Sequence, residues 1–132
     1  MQITSILIAG VAYFVLGGLW FTPLFGKQWD KAVGFERPIR WRPSTIYYIA
    51  PLAGCLVVSF AMSILFNIAH NLNPFKKLLH WGLSVALALG LCITSVNAIS
   101  PNMPRPGLYA LVTGSYHAVG LVLVSAIQYW LT

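Results

Sequence analysis

Charge is what this chain has least of. Eight basic and two acidic side chains are spread over 132 residues, and charge makes up 8% of the composition, against roughly 25% in a soluble globular domain. No Asp, Glu, Lys or Arg lies within residues 3–21, 46–69, 78–99 or 108–131. Cation coupling through an intramembrane carboxylate is thereby excluded, leaving neutral or anionic solutes as conceivable cargo. Cysteine is equally scarce. Cys55 and Cys92 form no CxxC or Cys/His ligand spacing, so neither a structural metal nor a disulfide framework is expected. No phosphate-cradling glycine loop and no nucleophile–base–acid set occurs, so an enzyme is not expected and no cofactor is called for. Alternating segments of about ten residues, the mark of a membrane β-barrel, are missing too.

What is present is hydrophobicity, 58% of the chain with a mean hydropathy of +0.78. A hydrocarbon core ~30 Å thick needs about 20 helical residues, and each charge-free segment is about that long. The expected fold is an all-α membrane protein, a single domain of four transmembrane helices in an up-and-down bundle. The spans are predicted at about residues 3–26, 45–69, 77–99 and 107–131. The first has no basic residue before Ile3 and no small-residue cleavage site, so it reads as a retained span.

The loops carry the charge. Seven of the ten charged residues fall between Lys27 and Ser44, where residues 28–33 suggest a short interfacial helix with Trp29 and Val33 one turn apart. Ser44 is a plausible N-cap for the second span. Residues 71–74 form a tight turn, and Lys76 and Lys77 mark the interface before the third span. Loops one and three hold six of the eight basic residues, so the positive-inside rule places them in the cytoplasm, both termini outside. Lys27, Arg37, Arg40 and Arg42 are candidate lipid-headgroup contacts, and the bilayer rather than a nucleic acid is the expected partner.

Small residues at four-residue spacing mark faces where helix backbones approach. Gly82, Ala86 and Gly90 do so in the third span and Gly114 and Ala118 in the fourth, while the adjacent Gly17 and Gly18 of the first permit close approach of another helix. Internal packing is the plain use of these faces; a homodimer or larger membrane complex is the other. Neutral polar residues form seams as well. Cys55, Ser59, Ser63 and Asn67 step by four in the second span, while Tyr109, Thr113, Tyr116, His117 and Gly120 share a stripe of the fourth. His117, about nine residues and ~13.5 Å into its span, is the one imidazole deep in the membrane. It reads as either a functional group or a neutral ring bonded to a neighbour. A polar path would comprise His117, Tyr116, Thr113, Asn97 and Tyr13, with a cytoplasmic mouth at Trp20, Pro23, Asn97 and Arg105. His70 and His80 flank the turn before the third span, where a metal clip is a minor alternative.

The stretch Gly17-Gly18-Leu19-Trp20-Phe21-Thr22-Pro23-Leu24-Phe25-Gly26-Lys27-Gln28-Trp29 resembles the signature of a bacterial membrane family known as domain of unknown function 1761. Asn97, the Pro/Arg connector, Gly114, Tyr116 and His117 resemble that family's ending. Phe21 stands where a tyrosine is often found, and the loop after Val33 and the second span match only loosely. The resemblance implies a small four-span inner-membrane protein and brings no activity. Two functions stay open: an accessory subunit acting through helix packing, and a small dimeric channel or carrier with a polar path near His117.

Overall fold

The structure is a computed structural model that describes residues 2–68 and 71–131. The fold is all-helical, with no strand among the described residues. Four helices are long and apolar enough to cross a membrane: Ile3–Leu24, Ile46–Ile68, Pro74–Ala98 and Pro106–Leu131. The third begins earlier than the charge pattern suggests, taking Lys76 and Lys77 into its first turn. Its start is set by capping chemistry. The Asn73 side chain accepts the Lys76 N–H at 2.8 Å, and Pro74 occupies the first turn, where it needs no backbone donor. The first span stops sooner, at Leu24. Pro23 there cannot donate, and the helix widens into a π turn over Trp20–Leu24. The Thr22 hydroxyl bonds the Gly18 carbonyl within this turn, and the Phe25 N–H reaches back to Trp20 O at 2.8 Å.

The spans pack in the spatial order third, fourth, first, second. The fourth is accordingly the most enclosed, with 44% of its apolar window buried against 24–28% for the others. Neighbours run antiparallel, as the close approaches show. Gly10 faces Leu56, Gly82 faces Ser125, and Gly90 faces Ala118. The second and third spans pack on one another chiefly at the Leu78–Leu83 end, which leaves a gap along the rest of their length.

Gly82, Ala86, Gly90, Thr94 and Ala98 are all buried at four-residue steps. An α-helix overshoots by about 40° at every such step, so the stripe would wander off its partner. Wider π winding over Leu78–Leu83 and Ala86–Ile93 corrects the drift and keeps one small-residue face against the fourth span. A Cβ on Gly90 would lie 2.7 Å from the Ala118 backbone nitrogen. These residues therefore pack helix to helix inside the chain.

The polar seam of the second span turns inward except at Asn67, which is exposed and donates through Nδ2 to Ser63 O at 2.7 Å. Cys55, Ser59 and Ser63 are buried; Ser59 Oγ donates to Ile6 O at 2.8 Å, and Gln128 Nε2 donates to Ser59 O at 2.7 Å. Cys55 and Cys92 are both free, Cys55 buried and Cys92 exposed.

Outside the spans, Gly26–Val33 forms the interfacial helix. Gly34 ends it in the left-handed conformation, φ 70°, which glycine adopts at little cost. Arg105 N–H donates to Ala32 O at 3.2 Å, so loops one and three meet on one side. Arg37 makes two bonds to Asp30, Nε to Oδ2 at 2.9 Å and Nη2 to Oδ1 at 2.7 Å, and its guanidinium lies 4.9 Å from the Trp41 ring centroid. The bond to Asp30 raises the Arg37 pKa above its ordinary value. Arg37 thus braces its own loop, and it, Lys27, Arg40 and Arg42 are all exposed.

Candidate functional site

Two tyrosines build the centre of the molecule by exchanging places with glycines. Tyr13 of the first span lies over Gly120 of the fourth, where a Cβ would sit 2.0 Å from the ring. Tyr116 of the fourth span lies over Gly17 of the first, where a Cβ would sit 2.9 Å from its hydroxyl. Gly18, one residue on, has nothing within 4 Å, so only Gly17 serves close packing. The two rings are 5.2 Å apart, a separation favourable for tilted aromatic pairs. Tyr116 also packs edge-on to Phe21 at 4.9 Å, and its hydroxyl donates to the Tyr13 carbonyl at 3.4 Å.

Interlocking the rings brings the Tyr13 hydroxyl to 2.6 Å from His117 Nδ1. No other acceptor for that hydroxyl occurs among the described residues, so we assign Tyr13 as donor and the ring proton to Nε2. A neutral imidazole held in this way meets the demand that polar groups in hydrocarbon be paired. Interhelical bonds of this kind contribute about 0.6 kcal/mol on average and at most about 1.7.

His117 and Tyr13 form part of the wall of a cleft of about 260 Å³. Polar groups from three spans converge on it: Tyr13 from the first, Thr94 and Asn97 from the third, and Tyr109, Thr113 and His117 from the fourth. Apolar walls come from Val58, Leu89, Ile93 and Leu121. From Tyr109 to Leu121 the cleft follows about twelve residues of the fourth span, or ~18 Å. It lies where the second and third spans part, and the second contributes Val58 alone to its lining. No charged side chain is among the described residues that line it.

Thr113 is the exceptional member. Within a helix a hydroxyl usually bonds the carbonyl four residues back. Ser95, Ser115, Ser125 and Thr22 all do so here. Thr113 does not: its hydroxyl is buried and without a hydrogen-bond partner among the described residues. Leaving such a group unpaired costs about 1–3 kcal/mol.

Of the residues expected on a polar path, Tyr13, Asn97, Thr113 and His117 share this cleft. Tyr116 is absent from its lining and is buried behind it, with Cys55 Sγ 3.8 Å from its hydroxyl. Of the expected mouth residues, only Asn97 lines the cleft. Trp20 donates through Nε1 to Val112 O at 3.0 Å and stacks on Phe25 at 4.8 Å, while Pro23 and Arg105 are exposed. Tyr109, from the start of the fourth span, stands with Asn97 at that end of the cleft. Thr94 was not anticipated, although it continues the Gly82, Ala86, Gly90 series by one more step. His80 packs edge-on to Trp81; His70 lies outside the described residues. No group of three metal-ligating side chains occurs among the described residues.

Neither the curated proteins nor the solved structures provide a match. A family match, however, runs almost from end to end and takes in both halves of the interlocked centre, the first-span turn at Trp20–Leu24 and the fourth-span stripe from Tyr109 to Gly120. Matched over residues 4–129, the chain belongs to the family described as protein of unknown function (DUF1761).

Proposed function

We propose that this protein is a non-enzymatic, multi-pass membrane protein that binds a small uncharged molecule in the cleft beside His117, as a carrier does. The observation that carries this reading is the buried Thr113 hydroxyl, left unpaired beside the cleft that Asn97 and His117 also line. Thr22, Ser95, Ser115 and Ser125 bond carbonyls of their own helices, whereas this buried hydroxyl is left for a ligand. The lining offers donors and acceptors but no countercharge, so neutral solutes fit and anions, otherwise open to a carboxylate-free protein, do not. Docking as an accessory subunit is the second reading. It is weakened because the Gly82, Ala86 and Gly90 face is occupied by the fourth span, leaving a partner or second copy only the outer surfaces.

We place it in a bacterial inner membrane with loops one and three cytoplasmic, in keeping with the concentration of basic residues there. Labelling of a Lys31→Cys variant by an impermeant reagent from outside would overturn that orientation.

The cleft reading is tested by thermal unfolding in detergent with 1,2-hexanediol, hexylammonium and hexyl phosphate as probes. The diol is expected to raise the unfolding temperature and the charged probes are not. Thr113→Val and His117→Ala should each weaken the diol effect about tenfold, the worth of one buried hydrogen bond, whereas Thr113→Ser keeps it. Equal stabilisation by all three probes, or a diol effect untouched by the variants, contradicts the proposal.

A further inference from the structure

Leu89 and Ile93, on the third-span side of the cleft, are exposed, and the composition of this opening bears on what enters. We infer that the ligand is an uncharged amphiphile, a long-chain alcohol or carbonyl compound, which slides in sideways from the bilayer with its head at Thr113 and His117. This inference rests on reading the cleft as a ligand site.

Three observations carry it. First, the lining combines a polar floor with an apolar flank. Tyr13, Thr113 and His117 of the first and fourth spans form the floor, and Val58, Leu89 and Ile93 of the second and third spans form the flank, with Thr94 and Asn97 adding polar groups on the third-span side. Leu89 and Ile93 are 47% and 50% exposed, so they offer an apolar track from the surrounding lipid to the polar floor. Second, Thr113 is only 8% exposed and its hydroxyl is unpartnered. Hydrocarbon tails alone would leave that hydroxyl unpaired; a ligand head bearing an acceptor oxygen would satisfy it together with His117. Third, the lining holds no Lys, Arg, Asp or Glu among the described residues. A phosphate or ammonium head would be desolvated there without a countercharge, so common phospholipids are disfavoured as occupants of the polar floor. A hydroxyl or carbonyl head is not. With the head at the floor, an alkyl tail leaves between Val58 and the Leu89–Ile93 wall and stays in the hydrocarbon from which it came.

The test uses the full chain in phosphatidylcholine nanodiscs with hexadecanol bearing a mid-chain diazirine, followed by irradiation and peptide mapping. Adducts are expected at Val58, Leu89 and Ile93 in about tenfold excess over Val57 and Leu111, which are 66% and 68% exposed and lie outside the cleft. Thr113→Val should bring the excess down to the level of those references, and Thr113→Ser should preserve it, separating loss of the hydroxyl from loss of the fold. Uniform labelling overturns the inference. If 1,2-hexanediol still stabilises the protein through Thr113, uniform labelling overturns the amphiphile alone; if it does not, the cleft reading falls with it.

Discussion

Tyr13 and Tyr116 define the protein at the scale of single residues, because each needs a glycine on the opposite helix. Tyr13 is 3% exposed, so its ring has little room to move aside for a methyl group. Gly120→Ala, which would place a Cβ 2.0 Å from that ring, is expected to destabilise the fold by at least ~1–3 kcal/mol. Gly54→Ala is the control: nothing lies within 4 Å of its Cβ, and a helix interior gains ~0.5–1 kcal/mol from alanine. Unfolding in detergent ranks the two, and a Gly120→Ala protein as stable as Gly54→Ala would refute the interlock. Sequence alone placed Tyr13, Gly17, Tyr116, His117 and Gly120 on helix faces, since period and polarity are local properties. It did not pair Tyr13 with His117, because rotation of one helix against another depends on side-chain fit at long range. Nor could it separate Gly17 from Gly18, which share a composition and differ only in what stands opposite.

At the scale of elements, the third span is the instructive one. Its small-residue stripe was legible, and its packing use follows from lipid supplying no hydrophobic force between helices. The winding that keeps the stripe straight was not legible. An α-helical register predicts drift, and only contact with the fourth span along Gly82 and Gly90 makes wider turns worthwhile. Gly90→Val is expected to push Ala118 away and cost ~1–3 kcal/mol by overpacking, measured by the same unfolding. No change would mean that this helix pair is loosely held. The first span shows the converse. Pro23 cannot donate within the helix, and the π turn over Trp20–Leu24 is the local answer, with Thr22 bonding the Gly18 carbonyl. Between spans, the concentration of charge in loop one was plain, but the Arg37 pair with Asp30 was not. It requires the αL turn at Gly34 to fold the loop back seven residues.

At the scale of the whole molecule, four apolar helices were evident from hydropathy, while the order in which they pack was not. Equal hydrophobicity around each helix says little about neighbours, and the gap between the second and third spans is a property of that order. The same order gathers Tyr13, Thr94, Asn97, Tyr109, Thr113 and His117 from three helices into one cleft. The account therefore turns on whether this cleft is an accessible site or a dry seam. The direct measurement is the N-ethylmaleimide reaction rate of Thr113→Cys, compared with Val124→Cys and with native Cys92 in a Cys55→Ala background. Val124 is fully buried, at 0% exposure, and Cys92 is exposed. Position 113 is predicted to react at a rate nearer to that of Cys92, whereas a thiol there as inert as one at position 124 would contradict the account.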